Sequence, residues 1–142
     1  MLDTDKFFWD ALRTDGGIVK MTGGRIFNTA RSTTDEREDK VPYVVITFDS
    51  LTNDETTKDD EVESPYDSVN VSVLCVASDR EQLARLTKAV RERDRRYFAQ
   101  KGERYGIDDW RFSAGGVMYD ELKPCFYQLL SYQITTDNDL IQ

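Results

Sequence analysis

Residues 66–83 read YDSVNVSVLCVASDREQL, and this stretch decides the fold. Val69, Val71, Val73 and Cys75 alternate with Ser68, Asn70 and Ser72, the period-two pattern of a strand with one buried face. Leu74 and Val76 break the alternation, so the second half is apolar on both faces. That half should be covered on both sides and the first half on only one. Ser78-Asp79-Arg80-Glu81 then matches a capping box, serine followed three residues later by glutamate, and predicts a helix start. On that reading, Ser78→Ala costs about 1 kcal/mol through the lost cap. The helix should run to about Phe98. Leu83, Leu86, Val90, Tyr97 and Phe98 form its apolar stripe, with Ala84 and Ala89 alongside.

Upstream, Tyr43 to Asp49 holds Val44-Val45-Ile46 and opens after Pro42, a residue tolerated at a strand start. It predicts a hairpin with Tyr66–Ala77. The intervening Ser50–Pro65 is rich in Asp, Glu, Thr and Ser and reads as a long hairpin tip or a disordered loop. Ala30 to Lys40 is polar, without periodicity, and reads as a loop. Before it, Gly23-Gly24 predicts a tight turn into a short strand at Arg25-Ile26-Phe27. A short first helix, about Thr4 to Thr14, carries Phe8, Ala11 and Leu12 at helical spacing, with Phe7 and Trp9 beside them. Asp3 or Thr4 would cap it and Gly16-Gly17 would stop it.

Downstream, Gly102 and Gly106 interrupt the chain, and two strands follow at about Asp109–Met118 and Cys125–Thr135. Gly115-Gly116 marks a bulge or bend in the first. In the second, Phe126, Leu130, Tyr132 and Ile134 share a face, with Gln128 as the polar exception. The order is α-β-β-β-α-β-β. It predicts an α+β fold: a single-layer, mostly antiparallel sheet of about five strands with a long hairpin, packed against two helices. The 142 residues suit one domain.

Composition narrows the chemistry. The chain has no histidine, which excludes a Ser-His-Asp triad, a Cys-His dyad and a histidine-ligated metal site. It is 39% hydrophobic, enough for a core, which argues against global disorder. The net charge of -8 argues against a freestanding nucleic-acid binder and against docking on anionic membranes. The N-terminal residues lack a signal-peptide pattern, and no stretch approaches the roughly 20 apolar residues of a membrane span. Cys75 and Cys125 read as small hydrophobes within strands, in a reducing compartment. No cofactor motif is present: Thr22-Gly23-Gly24-Arg25 lacks the Walker frame, and no GxGxxG follows a strand.

Charge is unevenly placed. Residues 80–111 are net +4 and the remainder is net -12. Arg91, Arg93, Arg95 and Arg96 gather on the second half of the long helix. Cations there suit the helix dipole. They also suit a subunit whose basic face meets the acidic face of a neighbour. The acidic residues Asp54, Glu55, Asp59, Asp60, Glu61 and Glu63 lie in the hairpin segment. That segment has no turn glycine, so it fails the EF-hand pattern. It reads as a solvated loop or as an acidic surface that faces a partner or repels an anion. Neither a catalytic nor a metal-binding residue set emerges.

The layout resembles the tail completion or tail terminator proteins (minor tail protein U-like) of long-tailed bacteriophages and prophages. The resemblance rests on Met21-Thr22-Gly23-Gly24-Arg25-Ile26-Phe27, similar to the family's GGR-hydrophobic-aromatic turn and strand. It continues with Val41-Pro42-Tyr43-Val44-Val45-Ile46, the strand at Val69 to Ala77, and the helix opening at Ser78-Asp79-Arg80-Glu81-Gln82-Leu83. The order of these short motifs, over about residues 5 to 135, carries the likeness. The resemblance implies a virion structural protein without catalytic residues or cofactors. Such proteins form a ring, commonly of six copies, that caps the tail tube. They dock the head-side connector, and DNA passes through without specific binding. Gly23, Gly24, Arg25, Pro42 and Tyr43 would be fold markers. Localisation in the virion neck, and in the host cytoplasm during assembly, would follow. An acidic segment facing the lumen would repel DNA phosphates. The chain departs from the pattern in the long acidic insert at 50–65 and the polar stretch at Gln100–Asp109. Two other readings remain open: a different head–tail joining protein, and a small α+β ligand-binding or enzymatic domain with an unrecognised carboxylate site.

Overall fold

A computed structural model describes residues 3–28, 40–53 and 66–137. The chain forms α1 (Asp3–Arg13), α2 (Gly16–Thr22), β1 (Ile26–Asn28), β2 (Tyr43–Asn53), β3 (Tyr66–Ala77) and α3 (Arg80–Lys101). A 3-10 turn (Gly102–Tyr105) then leads to β4 (Ile107–Ala114), β5 (Met118–Asp120) and β6 (Cys125–Asp137). The fold is α+β: one sheet with strand order β1-β2-β3-β6-β4, and β5 pairing with β6 beyond the end of β4. Every pairing is antiparallel except β1 with β2.

The hairpin lies where the valine alternation places it. Val44 faces Cys75 and Ile46 faces Val73 across the β2–β3 ladder. Strand β2 is longer than its valine run, because Ser50–Asn53 also pair with Asp67–Asn70 after a register shift. Val69, Val71, Val73 and Cys75 are all buried on the inner face, under the helices. The acidic residues from Asp54 to Glu63 lie outside the described residues, as do residues 29–39, which cover most of the loop expected at Ala30 to Lys40.

Two local expectations change. Gly16-Gly17 do not stop the first helix; they open a second. Asp15 accepts a hydrogen bond from the Ile18 amide at 3.0 Å and so caps α2. Asp before two glycines is a helix start, since early helical positions have no intrahelical amide bond to lose. The left-handed stop comes at Gly23, with φ of 62° and its N–H donating to the Val19 carbonyl. Among the described residues three α-helices therefore form where two were expected, and β5 makes a sixth strand.

The cap of α3 also moves by one residue. Asp79, not Ser78, accepts from the Gln82 amide, at 2.7 Å. The Gln82 side chain reaches back to the Ser78 N–H at 2.9 Å and its hydroxyl at 2.8 Å. Glu81 instead lies beside Arg85 at 3.9 Å, an exposed pair of little energetic weight. Asp79→Ala should therefore lower stability by about 1 kcal/mol in urea denaturation, and Ser78→Ala by clearly less. Equal effects would restore the serine cap.

The core is built around aromatic rings at the C-terminal end of α3. Phe98 stacks on Phe7 at 4.4 Å and on Trp110 at 4.5 Å, with Tyr132 beside them. This cluster ties α1, α3, β4 and β6 together. The stripe of α3 contains one unexpected member, Asp94, four residues beyond Val90 and fully buried. Tyr132 of β6 donates to its Oδ2 at 2.7 Å. Burial pushes the Asp94 carboxyl up to about 8, against smaller opposing effects of the Tyr132 hydrogen bond and the Arg93 charge. Cys75 is a free, buried thiol, pushed up by burial and then by Asp94.

Candidate assembly surfaces

The outer face of the sheet divides as β3 predicts. In β2, β3, β6 and β4 the row Ser50–Asn70–Gln133–Arg111 is polar. Ser72 donates to Asp49 there, and the Asn70 amide donates to Ser50 at 2.9 Å. Toward the other end the rows turn apolar: Phe27–Val45–Leu74–Leu129 and Tyr43–Val76–Tyr127–Met118. Phe27 and Val76 are buried, whereas Leu129 is 42% and Met118 53% exposed. The apolar half is thus covered at its β1 end and open at its β6–β5 end. Val117, just before β5, is also exposed, whereas Tyr119 lies on the opposite face against the Phe126 ring at 4.9 Å. Gly115 and Gly116 cause the change of strand: β4 ends at Ala114, the Gly115 amide donates to the Leu129 carbonyl at 2.9 Å, and β5 resumes at Met118.

The five fold-marker residues meet at the start of β1 and β2. Gly23 and Gly24, both at positive φ, turn the chain. Arg25 then donates from Nε to the Pro42 carbonyl at 3.2 Å, and its own carbonyl accepts from Val44. A Cβ on Gly23 would lie 2.7 Å from the Arg25 guanidinium, so glycine gives both the turn and the room. The Phe27 and Tyr43 rings lie 6.3 Å apart.

The four helix arginines point two ways. Arg93 holds α3 to α1: it donates to the Ala11 carbonyl at 2.8 Å and to the Thr14 hydroxyl at 3.0 Å. It also lies 3.7 Å from the Asp15 carboxylate and over the Tyr97 ring. Arg96 sits 3.8 Å from the same carboxylate. These two stabilise the subunit itself. Arg91 and Arg95, four residues apart, lie instead on the exposed side of α3 with Lys88.

There they rim an open groove of about 480 Å³ between α3 and the β4–β6 edge. Its floor is Phe112, Ala114 and Leu130, with Gln128 among its lining residues. The Arg91 guanidinium lies 4.4 Å over the Phe112 ring, which fixes its orientation. The Gln128 amide donates to the Gly115 carbonyl at 2.8 Å, which accounts for a glutamine on the inner face. Arg91 and Arg95 belong to the arginine cluster that the sequence singles out, whereas Lys88 does not. The floor was not legible in the sequence, because it depends on β4 pairing with β6 at Phe112–Tyr132 and Ala114–Leu130.

Among the described residues no group of three or more His, Cys, Asp or Glu side chains is placed to hold a metal. No helix among them is long and apolar enough to cross a membrane. The arrangement offers surfaces: a basic groove with an apolar floor and a half-exposed apolar sheet face.

No known family model matches the chain, and no curated protein sequence does. A crystal structure from Akkermansia muciniphila aligns with 94% of this chain and 78% of its own, at 14% identity and a TM-score of 0.29, too low to support an argument. The chain is similar in fold to a component of the virion of a native gene transfer agent (GTA) particle. The two align over 94% of this chain and 93% of that one, at 10% identity and a TM-score of 0.62.

Proposed function

We propose that this chain is a virion structural protein of a phage-like particle, and specifically a tail completion or terminator subunit. It forms a closed ring on the end of a tail tube, halts tube growth and offers its far surface to the head-side connector. The observation that carries the reading is the near full-length likeness of fold to a virion component. The order of motifs from Gly23-Gly24-Arg25 through Pro42-Tyr43 to the long helix supports the terminator assignment within that class. Two features suit an assembling subunit. The apolar half-face leaves Leu129 and Met118 exposed, and exposed apolar patches mark docking sites. The basic groove and the acidic segment give one chain two unlike faces, which a head-to-tail ring requires. In this reading the chain has no catalytic site and binds no cofactor, and DNA passes the ring without being held.

The test is tube growth. Tube protein from the particle that encodes this chain is polymerised with and without it. Growth should stop at substoichiometric chain, at about one ring per tube. Unaffected growth, with retention on a connector protein instead, would replace the terminator reading with that of a different joining protein. Unaffected growth with a specific thermal shift by a metabolite would favour a ligand-binding domain.

A further inference from the structure

We propose that the groove between α3 and β4 is the socket for the acidic segment, residues 54–65, of a second copy of this chain. The inference rests on the ring reading above and names the contact that closes the ring.

The socket has two components. Lys88, Arg91 and Arg95 supply positive charge along one rim, against the single acid Glu92. Ala114 and the part-exposed Phe112, its ring under Arg91, supply apolar surface, with Leu130 buried beneath them. The segment DETTKDDEVESP carries six acids and one lysine, and it places Val62 between Glu61 and Glu63. One apolar side chain between two carboxylates suits apolar surface that lies beside two guanidinium groups. Complementary charge of this kind sets register and partner choice. The groove also opens at β4, the edge strand of the sheet, so an extended segment can enter from the side.

Distance makes the contact intermolecular. The segment leaves β2 at Asn53 and rejoins at Tyr66, beside Asp67. The groove lies at the level of Val73–Leu130–Ala114. That is six residues along β3, about 20 Å, and two strands across, about 10 Å. Val62 stands four residues before Tyr66, so it extends at most about 14 Å from that anchor. It falls short of the Leu130–Ala114 level of its own groove. A neighbour's segment meets no such limit, and the same contact repeated around an axis closes a ring.

The experiment is a titration of the full chain into a fluorescein-labelled peptide of residues Asn53–Tyr66, followed by anisotropy. Binding should appear at low ionic strength and weaken with salt. Arg91→Glu with Arg95→Glu should weaken it at least tenfold. A peptide carrying Glu61→Lys and Glu63→Lys should regain affinity for that reversed chain, which separates pairing from loss of fold. Absence of binding at low salt, a change below twofold on reversal, or no rescue by the swapped peptide would each overturn the socket. The ring reading is judged separately by tube growth. A reversed chain that still stops tubes overturns the socket and leaves the terminator reading standing. A chain that binds the peptide but never stops tubes does the opposite.

Discussion

Replacing Asp94 by asparagine should flatten the dependence of stability on pH between about pH 4 and pH 8. Asp94 is fully buried, and its Oδ1 has no hydrogen-bond partner among the described residues. Oδ2 accepts from Tyr132. Burial raises the carboxyl from 3.8 to about 8 in the folded chain. Between those values the native state holds a proton that the unfolded chain has released. Stability therefore decreases with rising pH across the window. The contribution is complete below about pH 4 and is lost as pH rises through the folded value. A shift of this size corresponds to a loss on the order of 5 kcal/mol. Asparagine keeps the shape and an acceptor for Tyr132 but cannot ionise. Urea denaturation of both chains across the window isolates the effect, because all other groups cancel in the difference. Wild type and variant should be close at pH 4, and the variant should be the more stable by several kcal/mol at pH 8. A constant difference across the window would show that Asp94 is ionised in the folded state.

Phe98→Ala should cost about 3–5 kcal/mol, the range for removing a large buried aromatic side chain. Phe98 stands at a junction, stacked on Phe7 of α1 and on Trp110 of β4, with Phe8 edge-on. Removing it leaves a cavity that the stacked rings cannot close without moving two elements. Stability falls in denaturation, and the emission of Trp110 shifts to the red as water reaches it. A loss below 1 kcal/mol would mean that the rings collapse together, and that the junction of α1, α3 and β4 is less rigid than the stacking implies.

Much of the fold is legible because burial is periodic. Val69, Val71, Val73 and Cys75 place β3, and the break at Leu74 and Val76 announces a sheet apolar on both faces at one end. The helix stripe from Leu83 to Phe98 is likewise written in spacing. Asp94 could have been found the same way, since it falls on the buried side four residues after Val90. It was hidden by its charge, which argues for solvent until Tyr132 is seen to meet it. Local chemistry proved ambiguous where two signals overlapped. Asp15-Gly16-Gly17 can end one helix or begin the next, and the hydrogen bond to Ile18 decides. Ser78 and Asp79 are both capping residues, and the Gln82 amide chooses Asp79. The arginine cluster was visible, but its division was not. Arg93 reaches across to Ala11, more than eighty residues away, and no spacing along α3 encodes that. The groove floor is equally non-local, because it needs β4, β6 and α3 in place.

Under the proposed function, this chain closes a tail tube. Electron microscopy of tail tubes incubated with the chain tests it most directly. The expected image is a ring of subunits at one end of each tube, six around the axis, with none along the tube wall. Tubes with bare ends, or with the chain bound along their sides, would contradict it.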